Sequence, residues 1–168
     1  MTNRLIVRVS LAAVLMCSAG GAWAQGKTDK ASQTFITKAI QGNLAEVSMG
    51  QLAQQQGESA DVKSFGQQLV TDHSAANQRA TSLASQLGVT PPSEPSKKQK
   101  SDAAKMEKMS GAAFDRAFAQ HMVADHKKDI RDFEKQAKKN DAAGQYAQQT
   151  LPTLRKHLET AQSLGKAR

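Results

Sequence analysis

Four side chains with metal-ligand chemistry stand out in the sequence: Glu46, His73, His126 and His157. Projected at about 100° per residue, each falls on the apolar face of a helical segment. His73 shares its face with Val62, Leu69, Val70 and Ala80, His126 with Met122, Ile130 and Phe133, His157 with Leu154, Leu158 and Ala161, and Glu46 with Ala39, Asn43, Val47 and Gly50. His121 falls toward the edge of its segment. Imidazoles with a carboxylate and no thiolate suit a transition metal ion such as zinc, copper, nickel or iron. Met122, one turn before His126, is a candidate thioether ligand that would favour cuprous ion. Asp129, three residues after His126, is a candidate ligand or an orienting partner for the ring. Asp72 and Asp125 immediately precede their histidines, so they are expected to point elsewhere and to pair on helix surfaces.

A lone histidine on an apolar face is ordinarily a hydrogen-bonded core or boundary residue. Four ligand-type groups on four segments favour convergence, with a buried polar network of the same residues as the competing reading. Met49, Met106, Met109 and Met122, taken alone, read more simply as core filler than as ligands. The lysine pairs at 97 to 98, 127 to 128 and 138 to 139 read as solvated surface.

Helices must position these groups. Glycine and proline are scarce outside the first residues and one later stretch, while Ala, Gln, Lys, Leu and Met dominate, and no strand pattern occurs. The spacing predicts a first helix over 31 to 56 and a second over 59 to 87, with Ser59 as N-cap, Gly57 in the tight turn and Gly88 as the stop. So short a turn makes the two antiparallel neighbours. Residues 88 to 101, GVTPPSEPSKKQKS, read as the long connection. Extended, it reaches about 46 Å, enough to run the length of a helix and set the third helix parallel to the second, as in ferritin-like bundles, although an antiparallel arrangement also fits. A short helix is predicted over 102 to 109, the third long helix from 111 to about 139, and the fourth over 142 to 164, kinked near Thr150 by Pro152. The fold class is therefore all-α, a four-helix bundle with a long connection between helices 2 and 3. Counted from the turns, Glu46 and His73 differ by a stagger of roughly 7 Å, and His126 and His157 lie almost level, so the two hairpins can form one layer.

At 168 residues the chain suits one helical domain, residues 25 to 168, preceded by a leader. Arg4 and Arg8 precede an apolar run that ends at Ala22-Trp23-Ala24, the order of a secretory signal with cleavage after Ala24 and a periplasmic or secreted destination. Cys17 lies inside the leader, and Met16 before it argues against lipidation, so the exported chain has neither disulfides nor a thiolate site. Removing two arginines takes the formal net charge from +8 to about +6. That charge reads most simply as solubility and also suits an anionic envelope surface, and without interleaved aromatic and basic residues no nucleic-acid partner is expected.

Catalytic signatures are missing: no nucleophile elbow, no phosphate loop and no cysteine nucleophile after the leader. No Glu-x-x-His pair occurs, and a di-iron oxidase would need a second carboxylate cluster that the sequence does not display.

The segments FITKAIQGNLAEVSMGQLAQQ, VKSFGQQLVTDHSAANQ, MSGAAFDRAFAQHMVADH and LPTLRKHLETAQSL occur in one order across residues 33 to 164. Together they resemble the bacterial family catalogued as domain of unknown function 4142. The resemblance implies an exported ferritin-like four-helix bundle, with Glu46, His73, His126 and His157 at the family's motif positions, and brings no activity with them. An outer-membrane label that the family has carried implies a barrel, for which this chain offers no alternating strands. The expected function is transition-metal binding (copper, zinc or iron) inside an exported bundle, in metal handling or envelope stress and without turnover. The alternative is a structural or interaction protein of the envelope with a buried His/Glu network.

Overall fold

The computed structural model describes residues 29–166; the predicted leader lies outside the described residues. Five helices follow in order, α1 (Lys30–Gln56), α2 (Ala60–Gln86), α3 (Lys97–Met106), α4 (Gly111–Ala137) and α5 (Ala142–Leu164), with no strand among the described residues. None of these helices is long and apolar enough to cross a membrane.

Side-chain oxygens begin four of the five helices by accepting from otherwise unpaired first-turn amides. Asp29 caps α1, Ser59 caps α2, Ser96 caps α3 and Asp141 caps α5, the last at 2.7 Å from the Gly144 amide. The short helix begins five residues earlier than the prediction of 102 to 109. Ser96 and Gln99 form a capping box there, and the ion pair between Lys98 and Asp102 (2.6 Å) spans one turn. All three prolines of the connection, Pro91, Pro92 and Pro95, precede that cap, where they cannot interrupt the helix. α5 continues through Pro152 without a break.

Contacts at the two ends of the bundle decide the topology. The Asp115 carboxylate near the start of α4 accepts from the amides of Glu58 and Ser59 at 3.0 and 2.9 Å, so α4 begins beside the α1–α2 turn. At the opposite end Ser32 of α1 donates to Asp141 at 2.6 Å, and Gln33 donates to the Leu87 carbonyl at 3.0 Å. The start of α1, the end of α2 and the start of α5 therefore meet there. α4 runs parallel to α2, and the connection carrying α3 crosses the length of the bundle, which is the ferritin-like arrangement.

Two apolar clusters fill the interior. One gathers Ile36, Ile40, Leu83, Ala84, Phe133, Tyr146, Leu151 and Leu154; the other gathers Met49, Val62, Phe65, Leu69, Phe114, Phe118 and Met122. In chain order the buried polar residues Asn43, Glu46, His73, His126 and His157 fall between the members of these clusters, so a polar layer separates two hydrophobic ones.

The α1–α2 seam beside that layer is held close by glycine. A Cβ on Gly66 would stand 2.6 Å from the Gly50 carbonyl oxygen and 2.8 Å from the Ala53 Cβ, and backbone atoms cannot swing aside. Alanine in a helix ordinarily stabilises relative to glycine by about 1 kcal/mol. Gly66→Ala should do the reverse and destabilise by roughly 1–3 kcal/mol through overpacking. Gly42→Ala, whose Cβ meets nothing nearer than Asp129 Oδ2 at 3.7 Å, should be neutral or stabilising. Urea denaturation checks both, and equal midpoints for the two variants would show that the seam can open freely.

Candidate metal centre

His73 from α2, His126 from α4 and His157 from α5 lie 4%, 2% and 0% exposed, so all three rings are withdrawn from bulk water. Their centroids stand 5.9, 5.3 and 5.4 Å apart, and His126 is turned 74° and 77° from the other two. Edges rather than faces converge, and one nitrogen of each ring lies within 4.8 Å of the other two.

The outer hydrogen bonds assign the tautomers. The Asn43 amide nitrogen donates to the Tyr146 hydroxyl at 3.2 Å, and that hydroxyl donates to the Ala76 carbonyl at 3.3 Å. Asn43 Oδ1 is then an acceptor, and His73 Nδ1, 3.0 Å away, must be the donor. His126 Nδ1 donates to the Met122 carbonyl at 3.0 Å. His157 Nε2 donates to the Asp72 carboxylate at 2.8 Å. Each ring thus spends its single N–H outward and turns a lone pair inward: Nε2 of His73, Nε2 of His126 and Nδ1 of His157.

Burial holds all three rings below the ordinary imidazole range, His126 at about 4, and the neighbouring imidazoles push His73 and His126 further down. For His157 the Asp72 carboxylate opposes burial without cancelling it. A neutral His157 has one proton for two acceptors, Asp72 Oδ2 at 2.8 Å and His126 Nε2 at 3.4 Å. The shorter, charge-assisted bond takes it. Two lone pairs then face each other at 3.4 Å, and His73 Nε2 has no hydrogen-bond partner among the described residues. A bound cation resolves both. At a zinc–nitrogen distance of about 2.0–2.1 Å, tetrahedral ligands stand roughly 3.4 Å apart, which is the His126–His157 spacing; bringing in the third ring needs a shift on the order of 1 Å.

The other sequence candidates occupy different places. Glu46 is buried, but its Oε1 lies 3.9 Å from His126 Nδ1, on the side of the ring away from the converging nitrogens. Asp129 is partly exposed and pairs with Lys128 at 3.0 Å. Met122 is fully buried within the second apolar cluster. His121 is half-buried at the edge of α4.

Asp72 and Asp125 depart from their predicted surface roles. Asp72 does point away from His73 of its own helix, but it reaches His157 on α5, and Asp125 faces Glu46 on α1. A side chain turned off its own helix's apolar stripe can still fill the groove against the next helix. Asn43, one turn before Glu46 on the same face, was visible in the pattern and turns out to orient His73. A cleft of about 110 Å³ between α2 and α5, lined by Asp72, His73, Arg79 and Thr153 among others, reaches the layer from outside.

The crystal structure of a DUF305 fragment from Deinococcus radiodurans is similar in fold, with a TM-score of 0.73 at 13% identity, covering 83% of this chain and 98% of that one. That likeness shows a shared helical, ferritin-like type of fold and nothing more. No curated protein matches this chain. The family profile described as Domain of unknown function (DUF4142) matches residues 17–164. A match spanning nearly the whole chain, with all three converging histidines inside it, shows that this protein belongs to the DUF4142 family.

Proposed function

We propose that this protein binds one zinc or copper ion through His73 Nε2, His126 Nε2 and His157 Nδ1, and that it handles the metal in the cell envelope without turnover. The observation that carries this reading is the inward turn of three lone pairs, each fixed by an outward hydrogen bond to Asn43, the Met122 carbonyl or Asp72. Such outer partners set tautomer and ring orientation at histidine metal sites. Three neutral nitrogens without a carboxylate among them favour zinc or copper over iron. On this reading the chain is exported by its leader, with cleavage near Ala24, and its basic surface rests against anionic envelope components.

Metal titration of chelator-stripped protein tests the proposal. One equivalent of zinc or copper should bind and raise the melting temperature, with about 2.7 kcal/mol of stabilisation when free metal is a hundred times Kd. An unchanged melting temperature with zinc, cuprous, cupric and ferrous ions alike would leave the layer as a structural polar network.

A further inference from the structure

Three protein donors converge at the histidine centre, and among the described residues His73, His126 and His157 are the one group of ligand-type side chains so gathered. Glu46 meets His126 on its outward nitrogen, 3.9 Å away, and Asp72 meets His157 on its outward Nε2 at 2.8 Å. Neither carboxylate reaches the inner side of the rings. Structural zinc sites are closed by four protein ligands, whereas three leave a position for an exchangeable one.

Along the bundle axis the layer is shut by its apolar neighbours, with the Phe65 ring 5.8 Å from His157. Between α2 and α5 it is reached from outside. The cleft of about 110 Å³ there has buried His73 and Thr150 at its floor, and Asp72, Thr153 and the exposed Arg79 toward solvent. Asn43 of α1 holds His73 Nδ1 at 3.0 Å, which leaves the unpartnered Nε2 to the side of the other helices. A larger cleft of about 220 Å³, at Asp61, Ser64, Gln68 and Ser163, includes none of the three rings.

Size and charge define what the inner cleft takes. At roughly 10–15 Å³ for each water, 110 Å³ holds several waters or a ligand of a few heavy atoms, well short of the roughly 300 Å³ at which drug-sized pockets begin. A divalent ion among three neutral imidazoles is answered by Asp72, the one carboxylate hydrogen-bonded to any of the rings, and positive charge left over in a site withdrawn from water is costly. A monoanion offsets it, and the Arg79 guanidinium lies along its way. Resting on the metal-binding reading above, we infer that the fourth position of the bound ion is open to a small monoanion, which enters through the α2–α5 cleft past Arg79.

Azide added to cobalt-loaded protein tests this. Cobalt(II) accepts imidazole ligands as zinc does and reports its coordination through its visible absorption. We expect azide to shift that spectrum saturably, at one azide per cobalt. Thr153→Phe, which fills the cleft, should weaken azide about tenfold or more by crowding it, with cobalt affinity unchanged. Arg79→Gln, at an exposed position that keeps the fold, should weaken azide about twofold to fivefold, the range of a single exposed charge. A cobalt spectrum indifferent to azide would show the fourth position closed by the protein, and equal azide affinity in wild type and both variants would place the entry elsewhere. Either overturns the inference and leaves the histidine centre standing. Protein that takes up neither cobalt nor zinc sinks the centre, and the open position with it.

Discussion

Replacing His126 with alanine should abolish stoichiometric zinc or copper binding, lowering affinity by about a thousandfold or more. Loss of even an outer partner at a metal site costs about 10–100-fold, and a lost ligand costs more. His126 forms one corner of a nearly equilateral triangle of rings, with its Nε2 3.4 Å from His157 Nδ1, so its removal leaves two nitrogens without the third that closes the sphere. His121→Ala, five residues earlier on the half-buried edge of α4, should leave affinity unchanged and controls for adventitious imidazole binding. Asp72→Asn should fall between these, at about 10–100-fold weaker, because an amide can present its nitrogen to His157 Nε2 and reverse the tautomer that points Nδ1 inward. Calorimetric titration of stripped protein orders the three variants. Equal loss in His121→Ala and His126→Ala would mean that metal binds on the surface of α4 and not between the helices.

Much of this layout follows from one-dimensional periodicity. The 3.6-residue repeat assigned Glu46, His73, His126 and His157 to interior faces, and all four are buried. Counting from the turns also brought them to one level, because helical rise is nearly constant and both hairpin turns are short. What periodicity could not supply is rotation between helices. Glu46 and the histidines share a layer, yet Glu46 meets His126 from behind, a distinction that depends on how α1 is turned against α4. That Asp125 of α4 faces Glu46 of α1 escaped the sequence for the same reason, since the two lie on different helices. The direction of α4 was equally open, since a connection of that length permits either sense. Contacts made by Asp115 and Ser32 at opposite ends settle it.

Acid should release the metal far more reluctantly than it would from a solvated site of the same three ligands. A proton competes with the ion at a nitrogen only below the pKa that nitrogen has in the empty folded protein. For free imidazole at about 6.5, protonation at pH 5 outweighs the neutral form about thirtyfold, and three such ligands compound to a loss of about 10⁴ in affinity. His126 instead titrates at about 4, where pH 5 hardly touches it, and burial moves His73 and His157 in the same direction. Competition titrations should therefore show zinc affinity falling no more than about tenfold between pH 7 and pH 5. The stability of the metal-free protein should carry the counterpart. Between 6.5 and about 4 the folded state binds fewer protons at His126 than the unfolded chain does, so this stabilisation is complete above 6.5 and disappears as pH falls through that window. The shift corresponds to roughly 3 kcal/mol. Glu46 and Asp129 are raised by burial and by neighbouring carboxylates, Asp129 to about 6, so their contribution has the opposite sign and is lost as pH rises. Glu46→Gln removes one of the opposing terms and should steepen the acid loss, with the metal-free variant gaining melting temperature mainly above pH 5. A zinc affinity that drops near 10⁴-fold by pH 5 would mean that the three rings titrate as free imidazoles, and that the layer opens to water on the time scale of exchange.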